Sequence, residues 1–515
     1  MRKRILPLLL ALCLLLLTAC SEMDDASPTT PDNPPQSDAP IVDPIPTPAG
    51  LEHFSLPYFP GETMDGVSCP DGAHQVIGAL LYEGLFRLDE HFEPQAVLAE
   101  SFTYDPETMV CAVTLRSNVV FSDGSPLTAQ DVAATLERAR WSARYSGRLA
   151  DVRSVTPEED TVYIALKRPN ASFAARLDIP IVKAGTENEP VPLGTGRYAW
   201  HETDSGAYLA PNSHYQHSQS LPLTQIPMVA CSDTDAMSYA FFSREVQLVT
   251  WDLTGTVPFN ATGVITCTDV PTPVMQFVGF NTQSPLFEDP TLRVALSQGI
   301  DRKTLVETCL LNHAVPAAFP ISPASLLYPT DLERPYSPDA FATAMEEAGC
   351  NTGKERPLTM IVSSENTFRV DMARRIAEAL SAYDIKITVT PMPWIEFQAT
   401  LNAGQYDLYY GECKLTADWD LTAFLAPDGA LNFSRYTADE LPDLLLAASS
   451  TSGSRHTAAL RALYRYLQQE APIVPVCFKN ESVLLPEKSV SIATPTATDP
   501  FYSLADWTIR WEDKE

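Results

Sequence analysis

The sequence predicts an α/β protein, and three observations carry that prediction. From Leu358 onward short apolar runs alternate with amphipathic ones in a strand-then-helix rhythm. Upstream, Thr or Asp caps stand directly before apolar patterns of helical period. The roughly 460 residues beyond Gly50, in a chain that is 45% hydrophobic and 9% aromatic, suffice for a large core divided over two or three domains.

At the N-terminus Arg2, Lys3 and Arg4 precede an apolar run from Ile5 to Leu17, shorter than the ~20 residues a spanning helix needs, which reads as an export signal. It closes on Leu17-Thr18-Ala19-Cys20, a stretch that resembles the lipobox of bacterial lipoproteins and implies lipidation at Cys20. Two acyl chains there would anchor the protein stably to a membrane. Ser21 to Gly50 is dense in Pro, Asp, Ser and Thr, too polar to offset the entropy of ordering, and predicts an extended tether.

In the body, Phe121-Ser122-Asp123-Gly124 predicts a turn, and Thr128 with Asp131 a capping box opening a helix whose Val132, Leu136 and Ala139 share a face. Asp289-Pro290 opens a second helix with Leu292, Ala295 and Leu296 inward, and Asp301 caps a third. Gly84, Gly124, Gly194 and Gly196 are expected to supply turn conformations closed to residues with a Cβ, and Arg293 to pair charges with Asp301 and Arg302 at the helix junction. The C-terminal rhythm places strands at Leu358–Val362, Ile385–Thr390, Tyr406–Tyr410 and Ile473–Phe478, with helices through Val370–Leu380, Trp394–Asn402, Asp439–Ala448 and Thr457–Glu470. Ligands bind such sheets at the carboxyl ends of strands, which directs attention to the loop after Tyr410.

A formal charge of −30 argues against nucleic acid or an anionic membrane surface as partner, without implying a cationic ligand. Beyond Cys13 and Cys20 the eight cysteines are scattered, with no metal-ligand or redox spacing. Buried thiols or a few disulfides are expected, Cys231 with Cys267 being one candidate pair, and no metal or cofactor. There is no G-x-S-x-G, H-E-x-x-H or phosphate loop, the histidines are dispersed, and the pairs Glu158-Glu159 and Glu346-Glu347 read as solvated surface on helices, so no enzyme is expected.

The segments YEGLFRLD from Tyr82, LAESF from Leu98, FSDGSPLTAQDV from Phe121, GTGRY from Gly194, FNTQSPLFEDPTLRVALSQGIDR from Phe280 and YSPDAFATAMEEAG from Tyr336, in this order, resemble family 5 of the extracellular solute-binding proteins, the peptide, dipeptide and nickel-binding group. The resemblance implies a two-lobe, type II periplasmic-binding-protein-like fold with an extra subdomain inserted in lobe one. After the signal (1–20) and tether (21–50), lobe one would comprise 51–81, 183–271 and 494–515, the insert 82–182 and lobe two 272–493. It implies a lipid-anchored extracytoplasmic receptor, monomeric, that closes over a peptide-like solute and delivers it to the transmembrane subunits of an ABC permease. The alternatives are a surface receptor or chaperone-like binder on the same fold without a permease, and a hydrolase.

Peptide-binding relatives place an aspartate of a Trp-Ala-Asp-Tyr stretch on the peptide's α-ammonium, and Ala417-Asp418-Trp419 stands in a similar place, which implies that Asp418 contacts ligand. Here Glu412-Cys413-Lys414 stands near the usual tryptophan and Asp420-Leu421 replaces an aspartate-proline pair. Lys414 would either neutralise Asp418 or meet a ligand carboxylate, and Asp418 could instead cap the helix running to Phe424. Trp394, Tyr409, Tyr410, Trp419 and Tyr436 bring aromatic faces towards the same strand ends, for ligand contact or for core packing, and Asn281 and Tyr82 are further ligand candidates.

Overall fold

The structure, a computed structural model, describes residues 53–70, 72–259, 265–487, 490–491 and 494–511. The predicted signal, Cys20 and the tether lie outside the described residues. Among the described residues no helix is long and apolar enough to cross a membrane.

In the first lobe the strand Leu56–Tyr58 lies parallel to Ile226–Ala230, and the sheet continues antiparallel through Gly206–Pro211 to Tyr198–Thr203. Leu56, Tyr198, Leu209 and Ile226 pack with Ile77 and Leu80 of the helix Gly72–Leu81. The loop before Tyr198 passes so near this helix that a Cβ on Gly194 would stand 2.1 Å from the Leu81 carbonyl oxygen, and one on Gly196 2.4 Å from that of Leu80. Close approach, not a left-handed backbone, is what requires these two glycines. Of the four predicted turn glycines only Gly124 has a positive φ.

The inserted subdomain is an antiparallel sheet of Ala99–Asp105, Val110–Leu115, Thr161–Leu166 and Val152–Glu158, in that order. Period-two alternation turns Cys111, Val113, Val162 and Ile164 onto the Val132, Leu136 and Ala139 face of the helix Ala129–Ala139. Its capping box forms as predicted: Asp131 N donates to Thr128 Oγ1, and Thr128 N to the Asp131 carboxylate. Glu158 and Glu159 stand at a hairpin and not on a helix, because Glu158 ends a strand and Glu159 takes a φ of 51°.

The third sheet runs Val249–Trp251, Ile473–Pro486, Ile265–Phe280, Leu408–Lys414, Arg356–Ser363 and Ile385–Met392, with Ala314–Pro316 on the Ile473–Pro486 strand. The last three strands of that order are mutually parallel and linked by the helices Thr367–Leu380 and Trp394–Ala403, the strand-helix units the sequence predicts. Both faces are covered, so alternate residues join different cores: Val278, Phe280, Met360, Val362 and Tyr410 on one side, Phe277, Ile361 and Tyr409 on the other.

Two of these strands cross between lobes. Ile265–Phe280 and Ile473–Pro486 pair antiparallel over most of their length, with register shifts at Pro271/Met275 and Gln276/Phe277. The second crossing strand is more than twice as long as the predicted Ile473–Phe478, and its Val483 and Leu485 already pack in the first-lobe core. The return to lobe one therefore occurs within this strand and not after Ala493. Arg293 does not pair with Asp301: it is fully buried, donating to the carbonyls of Phe287, Glu288 and Glu470, while Arg302 donates to the carbonyls of Ala317 and Pro475. Asp289 and Asp301 cap their helices.

Candidate functional site

Between the lobes lies a cavity of about 560 Å³, within the ~300–1,000 Å³ typical of small-molecule sites. The first lobe contributes Ala79 and Arg197, the insert Tyr82, Glu83, Arg144 and Arg148, and the second lobe Lys414 and Phe424. The strand predicted to end at Tyr410 continues to Lys414, which moves its carboxyl end, and with it the wall of the site, to Cys413–Thr416.

Arg148 is neutralised by Asp178, Arg197 by Asp499 at 2.8 Å. Lys414 and Arg144 differ from them. Neither forms a salt bridge with a carboxylate among the described residues, although Asp178 and Glu481 partly offset the Lys414 charge from farther away, and both side chains are accessible from the cavity. Arg144 rests over the Tyr145 ring, 5.1 Å from its centroid, and within 3.8 Å of Cys69 Sγ. Enclosure first, then the Arg148 and Arg144 guanidiniums, hold the Lys414 ammonium below the usual lysine range. On the acidic side, burial raises the Glu83 carboxyl, which accepts a 2.9 Å bond from Thr195. The wall thus presents two cations, Lys414 and Arg144, that are not held in salt bridges among the described residues.

Asp418 does not line this cavity. Its Oδ2 accepts from Arg176 Nε and Asn170 Nδ2, both at 2.6 Å, and its side chain is almost wholly buried. Arg176 also donates to Asp420 at 2.8 Å and lies 3.3 Å from Asp151, and Arg168 joins the same two aspartates. Arg176, and not Lys414, neutralises Asp418. Nor is Asp418 a helix cap: Asp420 Oδ1 accepts from Thr422 N at the start of the helix Thr422–Leu425. Since Arg168, Asn170 and Arg176 belong to the insert, these ion pairs bridge the two sides of the cleft.

Among the other candidates, only Tyr82 lines the cavity, its hydroxyl donating to the Pro192 carbonyl at 3.2 Å. Tyr410 is fully buried and donates to Gln276 Oε1 at 2.8 Å; Tyr409 faces the opposite core against Phe277. Trp419, held at a φ of 55°, is wedged edge-on between Phe92 and Phe478. Tyr436 bonds Tyr466 and Glu470, and Asn281 donates to the carbonyls of Gly404 and Tyr406. Trp394 is partly exposed on its helix beside Phe397. Trp394 apart, these side chains pack and tie the second lobe together, because strand alternation and turn bonding consume them. Arg144, Arg168 and Arg176 were not singled out from the sequence: they lie more than two hundred residues from Asp418, Asp420 and Lys414 on the far side of the cleft, and only the unusual Lys414 and the paired Asp418 and Asp420 hint at them. All eight described cysteines are free thiols, Cys231 and Cys267 included; Cys231 is buried and Cys267 exposed.

Residues 93–428 match the model of the bacterial extracellular solute-binding proteins, family 5 (middle region). This chain belongs to that family. Among curated family relatives, the glutathione-binding protein GsiB of Shigella dysenteriae is 26% identical over 487 residues, covering 88% of this chain and 92% of its own length. Among solved structures, a nickel ABC transporter protein of Bacillus halodurans superposes with a TM-score of 0.72 at 20% identity, over 87% of this chain and 98% of that one. The substrate-binding protein CtaP of Listeria monocytogenes gives 0.70 at 18%, over 89% and 100%. The two-lobe, type II periplasmic-binding-protein-like fold implied by the sequence is the one observed.

Proposed function

We propose that this chain is the lipid-anchored extracytoplasmic receptor of an ABC importer, and that it captures a peptide-like solute carrying at least one carboxylate and presents it to the permease. The observation that carries this reading is the interlobe cavity with Lys414 and Arg144 in its wall, neither in a salt bridge with a carboxylate among the described residues. An uncompensated cation in an enclosed site is costly unless a ligand anion completes it, and a carboxylate there would gain charge-assisted hydrogen bonds. The peptide-like class is supported by the relative described as glutathione-binding and by the oligopeptide-binding protein AppA of Bacillus subtilis, solved with a nonapeptide, at a TM-score of 0.60. Anchoring through Cys20 rests on the lipobox-like stretch; Cys20→Ser should move the protein to the soluble fraction.

Calorimetry with glutathione and with short peptides of differing charge tests the reading of the site. Removing one partner of an enclosed charged pair costs about 2–5 kcal/mol, so Lys414→Met should weaken an acidic peptide roughly 30-fold to several-thousand-fold. The fold should be spared, since Lys414 forms no salt bridge with a carboxylate among the described residues and meets Asp178 and Glu481 only at longer range. Amidating the peptide should cost the parent a similar amount, and the two losses should not add. Unaltered affinity in Lys414→Met, or a preference for cationic peptides, would refute it.

A further inference from the structure

Away from the cleft, the first crossing strand carries Cys267 and Asp269 two residues apart, hence on one face of the sheet. His313, from the segment leading into the strand Ala314–Pro316, reaches the same face: its Nδ1 lies 2.9 Å from Asp269 Oδ2 and 3.1 Å from Oδ1. Cys267 Sγ is 3.7 Å from Asp269 Oδ1, and the Ser482 hydroxyl, on the second crossing strand directly opposite Asp269, donates to that oxygen at 2.6 Å. One donor atom from each of the three residues falls within 4.8 Å of the others.

We infer that Cys267, Asp269 and His313 form a site for a borderline-soft divalent transition metal ion, with Zn²⁺ as the representative, at the point where the strands pass between lobes. Thiolate, imidazole and carboxylate together are the donor set of such ions and not of Mg²⁺ or Ca²⁺. Tetrahedral bonds of about 2.0–2.3 Å put neighbouring donor atoms roughly 3.3–3.8 Å apart. The sulfur-to-carboxylate distance meets this already, and the His313–Asp269 hydrogen bond has to lengthen by only a few tenths of an ångström. Binding exchanges the Cys267 thiol proton for the metal and releases it to solvent, so uptake strengthens as pH rises. A fourth position is left for water or the Ser482 hydroxyl.

The location gives the site a consequence. Cys267 and Asp269 sit on the half of the strand that pairs with the first-lobe end of Ile473–Pro486, whereas His313 is carried by second-lobe elements and its carbonyl is tied to Asn480 N at 3.0 Å. An ion held by all three clips the two lobes at their crossing and resists a change of angle there.

The experiment uses tag-free protein titrated with Co²⁺ and Zn²⁺ in the absence of solute. Co²⁺ should bind one equivalent, with tetrahedral ligand-field bands and a thiolate charge-transfer band. Zn²⁺ should displace it and protect Cys267, the exposed thiol among the described cysteines, from a thiol reagent. Cys267→Ser should abolish the charge-transfer band and His313→Gln should weaken binding at least tenfold, while Cys413→Ser, on the cavity wall, should leave both spectrum and affinity unchanged. A charge-transfer band that survives Cys267→Ser, or that is lost in Cys413→Ser, would place the metal in the solute cavity and overturn the proposal. Failure to bind one equivalent would overturn it as well, without touching the reading of the solute site.

Discussion

Asp418 shows how one side chain's role is decided by partners far away in sequence. Its motif context points to a ligand ammonium, yet the folded chain brings Arg176 and Asn170 to it across the cleft. A carboxylate this buried is tolerable only when paired, and breaking such a pair by removing one partner costs about 3–5 kcal/mol. Arg176→Met strands Asp418 and costs Asp420 one of its two arginines. It should therefore destabilise the protein by several kcal/mol in urea unfolding, whereas Lys414→Met should change stability little. Equal and small effects from both substitutions would mean that the ion pairs contribute nothing beyond exposed ones. The sequence made Asp418 visible as a charged residue in a special place, but not which charge it meets, because a motif records neighbours along the chain and a salt bridge records neighbours in space.

Elements were legible wherever local chemistry alone specifies them. The Thr128–Asp131 box, the Asp289 and Asp301 caps and the strand-helix units between Arg356 and Lys414 formed as read, because cap geometry and apolar period act within a few residues. The second crossing strand was underestimated: beyond Phe478 come Lys479, Asn480, Glu481 and Ser482, a polar run that reads as a strand's end and is instead buried or half-buried where the lobes meet. Glu481 illustrates the cost. Burial first, then Asp252, raises its carboxyl from near 4.5 to about 7. The folded state thus holds a proton that the unfolded state has already released, so this group's contribution to stability falls as pH rises from about 4.5 to about 7 and stays low above that. Glu481→Gln should flatten that slope. Relative to the parent, the variant should gain stability between pH 5 and pH 8, by at most roughly 3 kcal/mol at about 1.4 kcal/mol per pH unit. Parallel stability-pH curves for the two proteins would contradict this assignment.

At the scale of the whole molecule, the lobes are bridged by the protein's own charges: Arg168 and Arg176 on one side of the cleft, Asp418 and Asp420 on the other. Parting of the lobes would expose all four to water and break these cross-cleft contacts together. Asp420→Asn removes the carboxylate that both arginines share across the cleft and should raise the open-to-closed ratio about tenfold or more, a shift of ~1.4 kcal/mol. Small-angle scattering of solute-free protein would register this as a larger radius of gyration, and an unchanged radius would dismiss the ion pairs as a closing device. If the protein delivers solute to a permease, as proposed above, such a device creates a traffic problem. Were closure to need no cargo, the permease could not treat a closed receptor as a loaded one, and vacant receptors would compete with loaded ones for docking. When solute is scarce, making more receptor would then slow import, and the abundance of this protein relative to that permease would become a quantity the cell has to regulate.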